Sequence, residues 1–227
     1  MPLLFLLVPS LLFLIAVFAL PLLRYVWLSF HADSVMTGLV AIPNQGANWQ
    51  RFIHDSRYWQ DLAQTLRFAL VSVSLEVVLG LIIALILNQP LRQRALIRSS
   101  SLIPWALPTT VMALGWRWIF NTPYGPVDRL VHAGLGRSLN ALGEPSLAWI
   151  TTVYADIWKT TPFVALILLA GLQTIPSDLY EAAKLEGAGP WICLRRITIP
   201  LLLPYLGLAQ MFRLAQAFGV FDLVQVM

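Results

Sequence analysis

Glu76, Asp156, Lys159 and Arg213 are ionisable side chains set inside long apolar runs. A charge at membrane depth is costly and is retained for function or for a partner. Asp156 and Lys159 are three residues apart, hence on one helix face, and the spacing predicts that they pair. That pair serves either the chemistry of the site or the structure of a subunit interface. Glu76 stands mid-run with no second acid beside it to make a proton relay, so a structural partner role is expected. Arg213 needs an acid or water, and a wet cavity or an acid across a subunit interface would each supply it. Arg117, between Trp116 and Trp118, is expected to snorkel toward an interface, and Asp222 to be solvated near a helix end. His31, His54 and His132 lie between the apolar runs without metal spacing, which disfavours a metal-dependent membrane enzyme. The lone Cys193 cannot form an internal disulfide and reads as a packing residue. No GxxxxGK[ST] occurs, so the chain is not expected to hydrolyse ATP.

The elements that must position these residues follow from composition. Of 227 residues, 58% are hydrophobic and 11% charged, with mean hydropathy +0.73. Soluble domains carry about 25% charged residues, so lipid is the fitting solvent. Five apolar segments predict spans: Leu3–Leu23 with extension to Phe30, Leu62–Leu87, Leu102–Phe120, Leu147–Leu172 and Ile199–Val220. Nine Trp suit a protein anchored at two interfaces. The N-terminal segment lacks a basic leader and a cleavage site, which predicts a retained span. The whole of 1–227 reads as one all-α polytopic transmembrane helical bundle. It stops after an apolar run at Met227, and a last span is expected to be missing.

Residues 88–98 carry Arg92, Arg94 and Arg98 without an acid, and the positive-inside rule places this loop in the cytoplasm. Alternation then puts 31–61 and 121–146 outside and 173–198 inside. The net charge of +4 comes from scattered, partly loop-borne Arg, which favours this explanation over nucleic-acid binding.

The segment PSDLYEAAKLEGAGPWICLRRITIPLLLP at 176–204 has its own internal logic. Asp178 is expected to cap a helix, with Glu181 three residues on as in a capping box. Gly187 suits a left-handed helix stop. Pro190 suits the first position of a second short helix, and Pro200 and Pro204 mark the start of the fifth span. The result is a helix–turn–helix at the cytoplasmic face. It either docks a partner or rests on the headgroups, although its polar face is acidic rather than basic.

This segment resembles the EAA loop of binding-protein-dependent ABC importer permeases. Glu181, Ala182 and Ala183 are followed by Gly187, Ile197 and Ile199-Pro200, with Ile199 in place of the pattern's Leu. The stretches 88–121, 156–176 (DIWKTTPFVALILLAGLQTIP) and 218–227 resemble the sugar-importer, maltose-permease-like branch. The resemblance implies a type I permease of the bacterial inner membrane, importing a di- or oligosaccharide. The same loop alone would also fit polyamine, phosphate or amino-acid importers. It implies four kinds of protein partner or ligand: a second permease subunit, two cytoplasmic ATPases, an extracytoplasmic solute-binding protein and a sugar. ATP and Mg would be held by the ATPases, and this chain would need no cofactor.

Within the family, Glu181, Ala182, Ala183 and Gly187 of loop 173–198 would form the coupling helix seated in an ATPase cleft. The family's sugar contacts, counted from Glu181, fall on Thr160, Phe163, Arg213, Gln216, Ala217 and Val220. The last two replace Asn found in the family. On that reading Thr160, Phe163, Arg213 and Gln216 border a midplane cavity, with Phe163 against the apolar face of a sugar ring and Arg213 donating to hydroxyls. Plain packing of Phe163 is the alternative.

Overall fold

The run from Ser56 to Asn88 contains no proline and one glycine, and it forms a single helix of 33 residues, α4. Gln89-Pro90 follows, and the bias of a pre-proline residue away from helix ends it there. At about 1.5 Å per residue α4 outreaches a hydrocarbon core of about 30 Å. These features belong to a computed structural model, which describes residues 2–32, 40–90 and 92–227, with 2–6 and 94 described by backbone alone. Arg94, counted above among the loop charges, therefore has its side chain outside the described residues.

The chain divides into two compact units, Met1–Ala63 and Gln64–Met227. In the first, α1 (Pro2–Leu14) passes through a π turn at Ile15–Ala19 into α2 (Leu20–Ser29). A two-residue antiparallel pair follows, β1 (His31–Ala32) with β2 (Ile42–Pro43), then α3 (Ala47–His54). Asn48 holds this corner by donating to the carbonyls of Ser29 (3.2 Å) and His31 (2.9 Å).

The second unit continues α4 and adds α5 (Arg94–Ser101), α6 (Ile103–Ala106), α7 (Thr109–Ile119), α8 (Pro126–Leu135) and α9 (Pro145–Gln173). Then come α10 (Ser177–Leu185), α11 (Pro190–Cys193), a π turn at Leu194–Thr198, α12 (Ile199–Phe218) and α13 (Asp222–Val226). Among the described residues, four helices are long and apolar enough to cross a membrane: Leu7–Ser29, Ser56–Asn88, Pro145–Gln173 and Pro190–Phe218. They match four of the five expected spans.

The remaining span, Leu102–Phe120, is not one helix. It breaks at Leu107-Pro108, where both residues are extended (ψ 136° and 135°). Pro108 favours this, since its ring disfavours the helical conformation at Leu107. The fifth span also begins earlier than expected, because the short helix at Pro190 runs on without interruption into α12. Each of the two π turns named here ends two residues before a proline, Pro21 or Pro200. A proline ring in a helix presses on the carbonyl four residues back. That carbonyl, of Val17 or Arg196, lies inside the widened turn, which gives the ring room.

Close approach of α4, α9 and α12 depends on two glycines. A Cβ on Gly80 would lie 2.7 Å from Val164 Cγ1, and one on Gly171 would lie 2.5 Å from the Tyr205 ring. Small residues of this kind let membrane helices pack where no hydrophobic force drives them together. Around them Ala84, Leu87, Val164, Leu168, Leu172, Leu202 and Ala209 form the main apolar cluster.

Candidate functional site

Three of the long helices each place one ionisable residue at the same point in the interior. Glu76 (α4) is 0% exposed, Asp156 (α9) 3% and Arg213 (α12) 1%, so bulk water is not their partner. Arg213 donates from Nε and Nη2 to the two oxygens of Glu76 at 2.5 and 2.9 Å, a two-pronged pairing. Nη2 also donates to Asp156 Oδ2 at 3.1 Å, and Nη1 to Gln216 Oε1 at 2.8 Å. Of the five guanidinium N–H groups, Nε–H, one on Nη1 and both on Nη2 are thus engaged within the chain.

This arrangement corrects the expected Asp156–Lys159 pair. Asp156 turns to Arg213, while Lys159 Nζ reaches the carbonyl oxygens of Leu107 (2.6 Å) and Trp105 (3.5 Å). Those carbonyls lie at the break between α6 and α7, where no helical N–H answers them, and a cation satisfies them well. Arg213 finds its acids within its own chain, Glu76 and Asp156. Helical spacing pointed to Lys159 because it reports only local neighbours. The signal that pointed further was three charges at depth in three separate spans.

Beside this tie opens a cavity of about 260 Å³, lined by Asp156, Lys159, Thr160, Arg213, Gln216 and Val220 among others. Of the four expected pathway residues, the structure brings Thr160, Arg213 and Gln216 to this cavity. Thr160 spends its hydroxyl proton on the Asp156 carbonyl (2.6 Å). Phe163 is not in the cavity's lining. It stacks on Trp105, with centroids 5.5 Å apart and planes at 13°, and meets Phe212 edge-on at 6.3 Å. Ala217 is packed with Ala69 and Val73. Arg117 donates to the Val226 carbonyl at 3.0 Å.

At the other end of the unit, loop 173–198 forms the expected helix–turn–helix, but its start differs. Pro176 precedes the first helical residue, Ser177, and no side chain caps the helix. Asp178 falls inside the first turn, because the extended Pro176 (ψ 136°) starts the helix two residues early, and no capping box forms. It still complements the positive end of the helix dipole. The stop is as expected. Gly187 has φ +79°, its N–H bonds the Lys184 carbonyl (3.0 Å), and the Ala188 N–H bonds the Ala183 carbonyl (2.9 Å). This pair of bonds is a Schellman motif. Glu181, Ala182 and Ala183 lie on α10, whose last residue, Leu185, is 91% exposed.

The profile of the binding-protein-dependent transport system inner membrane component family matches residues 76–227. The chain belongs to this family. The permease is 43% identical over 210 residues to the trehalose/maltose transport system permease protein MalF of Thermococcus litoralis, covering 92% of this chain and 70% of that one. It is 35% identical to the trehalose transport system permease protein SugA of Mycobacterium tuberculosis (96% and 70% covered). Identity to the sulfoquinovosyl glycerol transport system permease protein SmoG of Agrobacterium fabrum is also 35% (98% and 72% covered). The fold is shared with a bacterial ABC transporter involved in the import of the acidic polysaccharide alginate. The TM-score there is 0.81 at 19% identity, covering 96% of this chain and 73% of that one. The protein is thus a multi-pass inner-membrane permease subunit of an ABC importer.

Proposed function

We propose that this permease lines the path of an importer for a di- or oligosaccharide of the trehalose and maltose class. The observation that carries this reading is the 43% identity to a trehalose/maltose permease across 92% of the chain. The relatives with 35% identity are named for trehalose and for sulfoquinovosyl glycerol, and none of these supports the polyamine or phosphate alternative. The cavity at Thr160 and Gln216 fits the same solute, since polar side chains converge there next to apolar Val220. Arg213 enters this reading as a wall of the cavity, with one N–H left to offer a hydroxyl. Phe163 enters as packing behind it.

Two cytoplasmic ATPases would drive transport and would hold ATP and Mg themselves. One of them would dock on α10 through Glu181, Ala182 and Ala183, with Gly187 turning the chain back toward the membrane. The exposed Leu185 supplies an apolar tip for such a cleft, and the two alanines allow close backbone approach. A second permease subunit would complete the path, and a solute-binding protein would deliver sugar from outside. A transporter of the same fold has been solved with its alginate pentasaccharide-bound periplasmic protein.

The test is co-purification. The tagged chain should bring down the second permease and the ATPase, and Glu181→Lys should lose the ATPase while keeping the second permease. An ATPase that stays bound to Glu181→Lys would remove α10 as the dock.

A further inference from the structure

At the base of α12 a contact between two hydroxyls ties α10 to the π turn. There the Tyr180 hydroxyl of α10 and the Thr198 Oγ1 lie 2.9 Å apart. Thr198 is buried and closes the π turn, where its hydroxyl also reaches the Cys193 carbonyl at 3.4 Å. We propose that the Tyr180–Thr198 hydroxyl pair is a positioning link that carries movement of α10 directly into α12. The inference rests on the reading of α10 as the ATPase dock.

The backbone route between the two helices contains two glycines outside any helix. It runs through Gly187, Ala188 and Gly189, and a Cβ at either glycine would meet nothing within 4 Å. A push on α10 could therefore be absorbed by rotation about these residues, since glycine populates both signs of φ at little cost. To the other side, a groove of about 500 Å³ separates Tyr180 and Lys184 from Leu85 and Gln89 at the end of α4. The hydroxyl pair bypasses the glycine turn. It joins the middle of α10 to the point where α12 widens into a π turn, a place where helices bend. From there α12 is continuous to Arg213, whose bonds to Glu76 and Asp156 engage α4 and α9. A displacement entering at Thr198 thus reaches the helices that line the cavity.

The chemistry asks for two hydroxyls and no more. Tyr180→Phe keeps the ring and leaves Thr198 its bond to Cys193. Thr198→Val keeps the branched shape, and Thr198→Ser keeps the hydroxyl. None of the three should affect insertion or binding of the ATPase.

The experiment uses the complete importer, with Cys193→Ala as background and spin labels on exposed Ser177 (α10) and Met211 (α12). Their separation is measured without nucleotide and after trapping with ADP and vanadate. In the parent the two helices move as one body and the distance is unchanged. In Tyr180→Phe and Thr198→Val it shifts or broadens, and Thr198→Ser behaves as the parent. A parallel assay in proteoliposomes counts trehalose imported per ATP hydrolysed. The ratio should fall roughly 3- to 10-fold in the two hydroxyl-less variants, the scale of one lost hydrogen bond. The Tyr180→Phe/Thr198→Val double variant should be no worse than either single one, as expected of one shared interaction. The distance measurement involves no solute, so it decides the question whichever sugar is carried. A distance in Tyr180→Phe that responds as in the parent, or one that already shifts in the parent, overturns the link. Failure of the dock itself would show separately, as ATPase still bound to Glu181→Lys.

Discussion

Replacing the three members of the buried tie one at a time should produce a graded loss of stability, and the geometry sets the order. Arg213→Met removes the cation and leaves Glu76 and Asp156 facing each other without a counter-charge. Breaking a buried pair this way costs about 3–5 kcal/mol, and the second stranded carboxylate puts this variant at the upper end. Glu76→Gln leaves Arg213 paired with Asp156 alone, one cation to one anion. It does lose the two-pronged pairing, because the new amide nitrogen is a donor facing a donor. The loss of one charge-assisted bond puts this at about 2 kcal/mol. Asp156→Asn keeps an oxygen that can accept from Nη2, and the 3.1 Å contact is the longest of Arg213's bonds, so the cost is about 1 kcal/mol or less. The assay is the apparent midpoint of heat inactivation in detergent, read as the fraction still monodisperse by size exclusion. The predicted order of damage is Arg213→Met, then Glu76→Gln, then Asp156→Asn. An Arg213→Met variant as stable as the parent, or Asp156→Asn as the most damaging change, would refute the tie as the organising contact of these three helices.

Further outcomes follow from other contacts. Gly187→Val should uncouple ATP hydrolysis from uptake while leaving the chain inserted, since a β-branched residue at φ +79° is strained; normal uptake in this variant would argue against the turn. Gly80→Leu and Gly171→Leu should each lower the heat-inactivation midpoint and the yield of folded protein, by overpacking worth about 1–3 kcal/mol, whereas Gly207→Leu, which has open space around it, should do neither. Cysteines at Asn48 and at Leu135 should be labelled from outside in intact cells, and one at Lys184 should not; the opposite pattern would invert the orientation drawn from Arg92, Arg94 and Arg98. Lys159→Met should weaken the joint between α6 and α9 by leaving the Leu107 carbonyl without its ammonium, read as faster proteolysis near Pro108.

Much of the fold was legible because apolar length alone specifies a span. The helices at 56–88 and 145–173 follow directly, with ends set by Pro90 and by the prolines at 145 and 176. The break at Leu107-Pro108 was harder to see. With Arg117 as its one charge, 102–120 reads by composition as a single span, and the backbone restriction before Pro108 is what breaks it. The fusion of the helix at Pro190 with α12 was hidden for the opposite reason. Pro200 reads as a breaker, and its accommodation by a π turn leaves no trace in residue type. At the loop, Gly187 was legible because a left-handed stop demands a residue without Cβ. Asp178 was misplaced as a cap because Pro176 starts the helix first. The tie at Arg213 was only half legible. That the residue needs an acid follows from its depth, but choosing Glu76 and Asp156 over Lys159's neighbourhood requires knowing how three distant segments pack.

The most direct test of the account is transport by the reconstituted importer. Proteoliposomes holding this chain with its partner permease, ATPases and solute-binding protein are loaded with ATP on the cytoplasmic side and given radiolabelled trehalose or maltose. ATP-dependent accumulation of one of these sugars is expected, lost when this chain is left out and lost in Glu181→Lys. Accumulation of neither sugar, alongside ATP hydrolysis stimulated by a solute of another class, would contradict it.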